Sequence, residues 1–279
     1  MYPVLFTIGR FPVHSWGVML MLGFALALWR CVRNRDRYGL SYEAILDVAV
    51  FGLIGGVIGG RLVYVALNWG PHLDSLGQPV NYWFSNHLAD IPAVWNGGMT
   101  SFGGFGGGLI AGILACRARK VNVGDMCDLM AVSFPIGYGI GRIGCFLNGC
   151  CYGDECTLPW AVKFKWDDQV YRWSHPAQLY SVAAAIVMYL LLLPLERGRK
   201  FRGQLMLAFL AMYGIYRFLI EFVREGATGS KTAILGMTQA QIASLIISVV
   251  CLAFYAYLAS RSRVEPRAVP PTTPPLPAA

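Results

Sequence analysis

The chain is 279 residues long, 56% hydrophobic and only 14% charged, with a mean hydropathy of +0.50. Globular chains run at roughly 45–50% apolar and about 25% charged residues, so the composition excludes both a soluble enzyme and an intrinsically disordered chain. The formal net charge is +8, but in a chain this apolar the placement of charge outweighs its sum, and no nucleic-acid partner is expected.

A bilayer core takes about 20 mostly apolar residues per helix. Seven stretches qualify: residues 15–33, 45–68, 98–116, 126–147, 176–195, 204–223 and 238–260. The expected architecture is therefore an all-α, polytopic integral membrane protein with seven transmembrane helices spread over residues 1–263. The first stretch carries its basic cluster after the apolar run, the reverse of a secretory leader, and is read as a retained helix. The second and third contain glycines four residues apart (Gly55 and Gly59, Gly56 and Gly60; Gly103 and Gly107, Gly104 and Gly108), a spacing that lets helix backbones approach closely. Between them, residues 69–97 hold Tyr82, Trp83 and Phe84, aromatics of the kind that sit at a membrane interface. The fourth stretch ends in Gly137-Tyr138-Gly139-Ile140-Gly141-Arg142-Ile143-Gly144, where glycine costs about 1 kcal/mol per position against alanine; a broken or closely approached helix end is expected there. Residues 264–279 are Pro-rich and read as a disordered tail.

Basic residues alternate along the chain. Arg30, Arg33, Arg35 and Arg37 follow the first span, Arg117, Arg119 and Lys120 the third, Arg197, Arg199, Lys200 and Arg202 the fifth, and Arg261, Arg263 and Arg267 the last. The opposite connections are much poorer in Lys and Arg. The positive-inside rule then places the N-terminus in the periplasm and the C-terminus in the cytoplasm, as an odd number of spans also requires.

Arg61, Arg142 and Arg217 fall inside the spans. A guanidinium at the centre of a membrane helix costs roughly 2.5–3.5 kcal/mol even on the most lenient scale, so an anion is expected to compensate. Glu221, four residues after Arg217 on the same face, can serve one arginine; Tyr213 lies one turn earlier. The remaining positive charge suits a phospholipid phosphate, whose oxygens a guanidinium fork binds bidentately. For Arg61 a structural role and a headgroup role are evenly matched.

Several separated motifs resemble one family. They are Pro12-Val13-His14-Ser15-Trp16-Gly17; Gly59-Gly60-Arg61-Leu62-Val63-Tyr64; Trp95-Asn96-Gly97-Gly98-Met99; Gly141-Arg142-Ile143-Gly144 with Asn148 and Gly153; His175-Pro176-Ala177-Gln178-Leu179-Tyr180; and Tyr213-Gly214-Ile215-Tyr216-Arg217 with Glu221. In this order they resemble the bacterial prolipoprotein diacylglyceryl transferases from about Tyr2 to Leu258. The resemblance implies a multi-pass enzyme of the bacterial inner membrane with its active site facing the periplasm. It would transfer the diacylglyceryl group of phosphatidylglycerol to the lipobox cysteine of preprolipoprotein signal peptides, releasing glycerol phosphate and using no cofactor. Arg142, Arg217 and Glu221 are the implied catalytic residues. Arg142, Arg61, Asn148, Tyr213, His175, Trp16, Gly103 and Gly104 are the implied substrate-binding residues. The chain departs from the family's usual pattern at Phe102, where a histidine or tyrosine is common, and at Cys145 and Cys150, where asparagine and glutamate are usual. Ser181 stands where a glutamate is expected. A non-catalytic phospholipid-binding paralogue and, behind it, a transporter are the alternative readings.

Cys145, Cys150, Cys151 and Cys156 cluster after the fourth span, where an extracytoplasmic position permits disulfides. Four cysteines allow three pairings that the sequence does not rank. Disulfide bracing is favoured over zinc, because the spacing lacks paired CxxC arms, and a catalytic thiol comes third; no metal is expected.

Overall fold

The computed structural model describes residues 2–8, 11–70, 84–94, 97–165, 170–224 and 236–261. The Pro-rich tail, Tyr82, Trp83, Trp95 and Asn96 lie outside the described residues. Seven α-helices are described: α1 (Ser15–Asn34), α2 (Tyr42–Leu67), α3 (Ser101–Ala118), α4 (Val123–Asn148), α5 (Ala177–Arg197), α6 (Gln204–Ile220) and α7 (Gln239–Arg261). α1, α2, α4, α5 and α7 are long and apolar enough to cross a bilayer. α3 and α6, with 18 and 17 residues, reach the lower end of the roughly 17–25 residues that a span requires. The chain is a helical, polytopic membrane protein. The exposed faces of α2, α3 and α7 are mostly leucine, isoleucine, valine and phenylalanine, as lipid contact demands.

α4 is the central element, packed against α1, α5 and α6; α2 packs on α3, and α6 on α7. Small residues set these distances. A β-carbon at Gly107 would lie 2.2 Å from the Gly55 carbonyl oxygen, and one at Gly103 would lie 2.3 Å from that of Gly59. Gly103 therefore serves the seam between α2 and α3. α4 runs unbroken through Gly137–Gly144, so of the two expectations the closely approached helix holds and the broken one does not. Its glycines are close-approach points: a β-carbon at Gly23 of α1 would lie 2.8 Å from the Gly137 carbonyl oxygen, and one at Gly144 would lie 2.9 Å from the Met19 side chain. Packing against α1 compensates the poor helix propensity of the run.

Two antiparallel hairpins, absent from the sequence reading, cover one end of the bundle: β1 (Val4–Ile8) with β2 (Phe11–His14), and β3 (Val162–Lys165) with β4 (Tyr171–Ser174). Phe164 of β3 is 1% exposed and stacks on Tyr152 with ring centroids 4.8 Å apart. The other end is held by charge. Arg30 donates to Glu196 at 2.7 Å with both side chains buried, and Tyr38 donates to the other oxygen of Glu196 at 2.8 Å. Asp128 accepts from Arg199 and from the backbone N–H groups of Gly203, Leu205 and Met206, which fixes the start of α6. The basic clusters that the sequence shows at this end are thus partly matched by buried carboxylates.

Candidate functional site

At the hairpin end, α4, α5 and α6 converge on a small cleft lined by Tyr138, Arg142, Cys151, Ala177, Ser181, Tyr216, Arg217, Ile220 and Arg224. Three guanidinium groups share it. Arg217 donates to Glu221 at 2.5 Å, where the carboxylate side chain is 4% exposed. Thr238 donates to the second oxygen of Glu221 at 3.1 Å. Thr238 also caps α7 reciprocally with Gln241: its hydroxyl accepts from the Gln241 N–H, and the Gln241 side chain accepts from the Thr238 N–H. This capping box ties the start of α7 to the carboxylate that orients Arg217.

Arg142 and Arg224 differ. Among the described residues no carboxylate pairs with either. The Arg142 guanidinium lies over the Tyr138 ring, 5.0 Å from its centroid. Tyr138 donates to the Tyr216 hydroxyl at 3.0 Å, Tyr216 donates to Ser181 at 2.5 Å, and Ser181 donates to the Ala177 carbonyl at 2.7 Å. A chain of hydroxyls therefore runs along the wall beside two uncompensated positive charges. Tyr213 packs its ring against both Tyr138 and Tyr216, with centroids 5.8 and 5.9 Å away.

The loop after α4 brings Cys151 and Arg224 into the same cleft. Gly149 closes α4 in the left-handed conformation at φ 78°. Its N–H donates to the Phe146 carbonyl and the Cys150 N–H to that of Cys145, the Schellman pattern for which glycine is suited. Farther on, the Gly153 N–H donates to the His175 carbonyl at 2.9 Å and the Asp154 N–H to the Val223 carbonyl at 2.9 Å. A β-carbon at Gly153 would sit 2.0 Å from the Val223 carbonyl oxygen, so only glycine lets the loop strap onto the segment that carries Arg224. Hydrogen bonding with Cys145 and then Cys150, together with the charges of Arg142 and Arg224, holds the Cys151 thiol below the ordinary thiol range.

The remaining sequence candidates lie elsewhere. Arg61 does not line the cleft. Its guanidinium donates to four carbonyl oxygens, those of Asp90, Ile91, Gly97 and Gly98, at 2.6, 2.8, 2.6 and 3.0 Å, and clamps the loop between α2 and α3. Gly103 and Gly104 face α2 in the helix seam, and Phe102 is 91% exposed. His175 contacts the Tyr180 hydroxyl at 3.2 Å through Nδ1 but is not part of the cleft wall. Trp16 is exposed at the start of α1, with its backbone against Gly144. Asn148 hydrogen-bonds the Cys150 thiol. All eight cysteines are free thiols, so the expected bracing disulfide is absent from the structure. Cys145, Cys150 and Cys151 come together, whereas the Cys156 N–H is fixed to the Trp173 carbonyl of β4. Sequence reasoning missed Tyr138, Tyr216 and Arg224; the last stands two helical turns beyond Arg217, the one signal that could have flagged it.

Comparison with known proteins identifies the family. The family model described as prolipoprotein diacylglyceryl transferase matches residues 3–257. Three curated relatives share the name phosphatidylglycerol–prolipoprotein diacylglyceryl transferase. The protein of Geobacter sulfurreducens is 35% identical over 226 residues, covering 80% of this chain and 82% of the relative. That of Vibrio vulnificus is 33% identical over 263 residues, covering 91% of each. That of Bordetella avium is 33% identical over 268 residues, covering 95% of this chain and 97% of the relative. With the match running through all seven helices and both sides of the cleft, the chain belongs to the prolipoprotein diacylglyceryl transferase family.

Proposed function

We propose that the chain transfers the diacylglyceryl group of phosphatidylglycerol to the lipobox cysteine thiol of preprolipoproteins. The reaction completes a step of lipoprotein maturation at the periplasmic side of the bacterial inner membrane. In the transfer a sulfur–carbon bond forms to the glyceryl carbon, and the bond from that carbon to the phosphate oxygen breaks. The electron pair leaves on the phosphate, which departs as glycerol phosphate, and the thiol proton passes to solvent or to that leaving group. Negative charge thus builds on one phosphate as the bond breaks, and groups that favour this charge more than the charge of the intact diester accelerate the step.

The observation that carries this reading is the pair Arg142 and Arg224, without carboxylate partners among the described residues, in one cleft with the Glu221-anchored Arg217. Two guanidinium groups with no carboxylate partner among the described residues have the charge and fork geometry to take a phosphate. Arg217, already fixed by Glu221, acts as a positioned donor rather than a free counter-ion. The hydroxyls of Tyr138, Tyr216 and Ser181 supply neutral donors on the same wall. Glu221 holds Arg217, and its carboxylate is occupied on both oxygens, which argues for positioning over proton transfer.

The test is transfer from radiolabelled phosphatidylglycerol to a lipobox peptide by the purified chain. Formation of a labelled thioether, with release of glycerol phosphate, supports the assignment. Lipid binding without any peptide labelling makes the chain a phospholipid-binding paralogue and overturns it.

A further inference from the structure

The end of α4 places three thiols together in a way that the three arginines do not explain. The sulfurs of Cys145, Cys150 and Cys151 all lie within 4.8 Å of one another. The Schellman turn folds Cys150 back so that its thiol points to the Cys145 carbonyl, 3.7 Å away. Cys151 then takes the left-handed conformation at φ 63°, which costs a residue bearing a β-carbon about 1–2 kcal/mol. Gln178, fully buried, donates to the Cys150 carbonyl at 2.6 Å, while its Oε1 has no partner. Strained backbone at Cys151 beside three convergent sulfurs is the kind of local cost that functional sites carry.

We propose that Cys145, Cys150 and Cys151 bind a zinc ion whose fourth position, at the cleft wall, takes the acceptor thiol of the transfer reaction. The donor set is all sulfur, which selects a thiophilic ion over magnesium or calcium. Tetrahedral zinc with bonds of about 2.3 Å sets its sulfurs about 3.8 Å apart, so closing the triad from 4.8 Å requires shifts of roughly 1 Å or less. A disulfide joins only two of the three sulfurs and requires an approach to about 2.05 Å. Three protein ligands and one open position is the arrangement of a catalytic rather than a structural zinc. Cys151 lines the cleft, which puts the open side of the ion toward Arg142 and Arg224.

The step balances without any change of oxidation state. The acceptor thiol binds zinc and releases its proton to solvent, since a coordinated thiol is deprotonated. The zinc-bound sulfur attacks the glyceryl carbon, the carbon–oxygen bond to phosphate breaks with its electron pair on the departing glycerol phosphate, and the neutral thioether leaves the ion.

The thiol-activating half of this proposal rests on the transferase reading, and the metal half does not. The full chain, purified in detergent without chelator, is assayed for zinc beside Cys145→Ala, Cys150→Ala, Cys151→Ala and Cys156→Ala. The expected result is one zinc per chain in the parent and in Cys156→Ala, and loss of the metal in the other three. Cobalt substitution of the parent gives a second readout that does not depend on any variant folding. Its sulfur-to-cobalt absorption should change when a lipobox peptide is added, and should not change with the same peptide carrying serine for cysteine. A parent chain that takes up no zinc, or that holds a disulfide within the triad while active, overturns the site. Undiminished transfer by a zinc-stripped chain overturns thiol activation and leaves the transferase reading standing. Zinc binding in a chain that never transfers upholds the triad and overturns the transferase reading.

Discussion

Arg61→Ala removes a buried cation whose partners are all backbone. Its guanidinium donates to the carbonyls of Asp90, Ile91, Gly97 and Gly98 and lies 5.2 Å from the Phe84 ring centroid. Hydrogen bonds to a charged group contribute about 1.5–3 kcal/mol each, so four at the low end amount to roughly 6 kcal/mol. Removing a guanidinium from the apolar region returns at most about 3.5 kcal/mol. The difference is a destabilisation of about 2–3 kcal/mol, placed at the joint between α2 and α3. Thermal melting of the detergent-purified variant, with its abundance in membranes, reads this directly. The expected result is a lower melting temperature and less accumulated chain, with transfer per folded molecule far closer to the parent than in Arg142→Ala. A variant that melts and accumulates like the parent but has lost transfer would refute the reasoning and place Arg61 at the lipid.

Gly107→Ala puts a β-carbon 2.2 Å from the Gly55 carbonyl oxygen and should lower stability by about 1–3 kcal/mol, as overpacking does; an unchanged melting curve would mean the α2–α3 seam opens freely. Glu196→Gln leaves Arg30 in a buried site without its carboxylate, and a loss of about 3–5 kcal/mol is expected in the same melting assay; a neutral result would assign Arg30 to another partner. Glu221→Gln should keep the chain folded while transfer falls by about tenfold or more, since a displaced positioning group costs up to about 10²-fold; parent-like kinetics would remove Glu221 from the machinery. A membrane-impermeant thiol reagent should label the Cys151–Cys156 loop from the periplasmic side, with a reporter fused after Arg261 active only in the cytoplasm; the opposite pattern would reverse the proposed orientation.

The helices were legible because a bilayer imposes one length and one composition on every crossing helix. Each predicted span overlaps an observed helix to within a few residues, from 15–33 for α1 to 238–260 for α7. The hairpins were not legible, since strands of four or five residues such as Phe11–His14 carry no usable periodicity. The glycine run of α4 was legible only in part: its close approach was expected, its continuity was not. Helix propensity is a local quantity, and the packing of Gly137 and Gly144 on α1 overrides it. Counting lysines and arginines alone also hid the carboxylates Asp125, Asp128 and Glu196 that neutralise part of one basic end. At the site, Arg142, Arg217 and Glu221 stood out because charge inside an apolar helix is rare and expensive. Arg224 did not, because it enters the cleft through the Gly153 strap, a contact between distant segments, and Cys151 stood out only as a member of the cysteine cluster, not as part of this cleft. The carbonyl partners of Arg61 are equally long-range and leave no residue-type signature.

The account turns on Arg142 and Arg224 holding the phosphate of the donor lipid. Transfer from radiolabelled phosphatidylglycerol to a lipobox peptide, measured for Arg142→Ala and Arg224→Ala against the parent, tests this most directly. A fall of about 10²-fold or more in rate is predicted for each, the size of losing one preorganised charge-stabilising donor, in variants that still fold, since neither side chain pairs with a carboxylate among the described residues. Near-parent rates in both variants would contradict it.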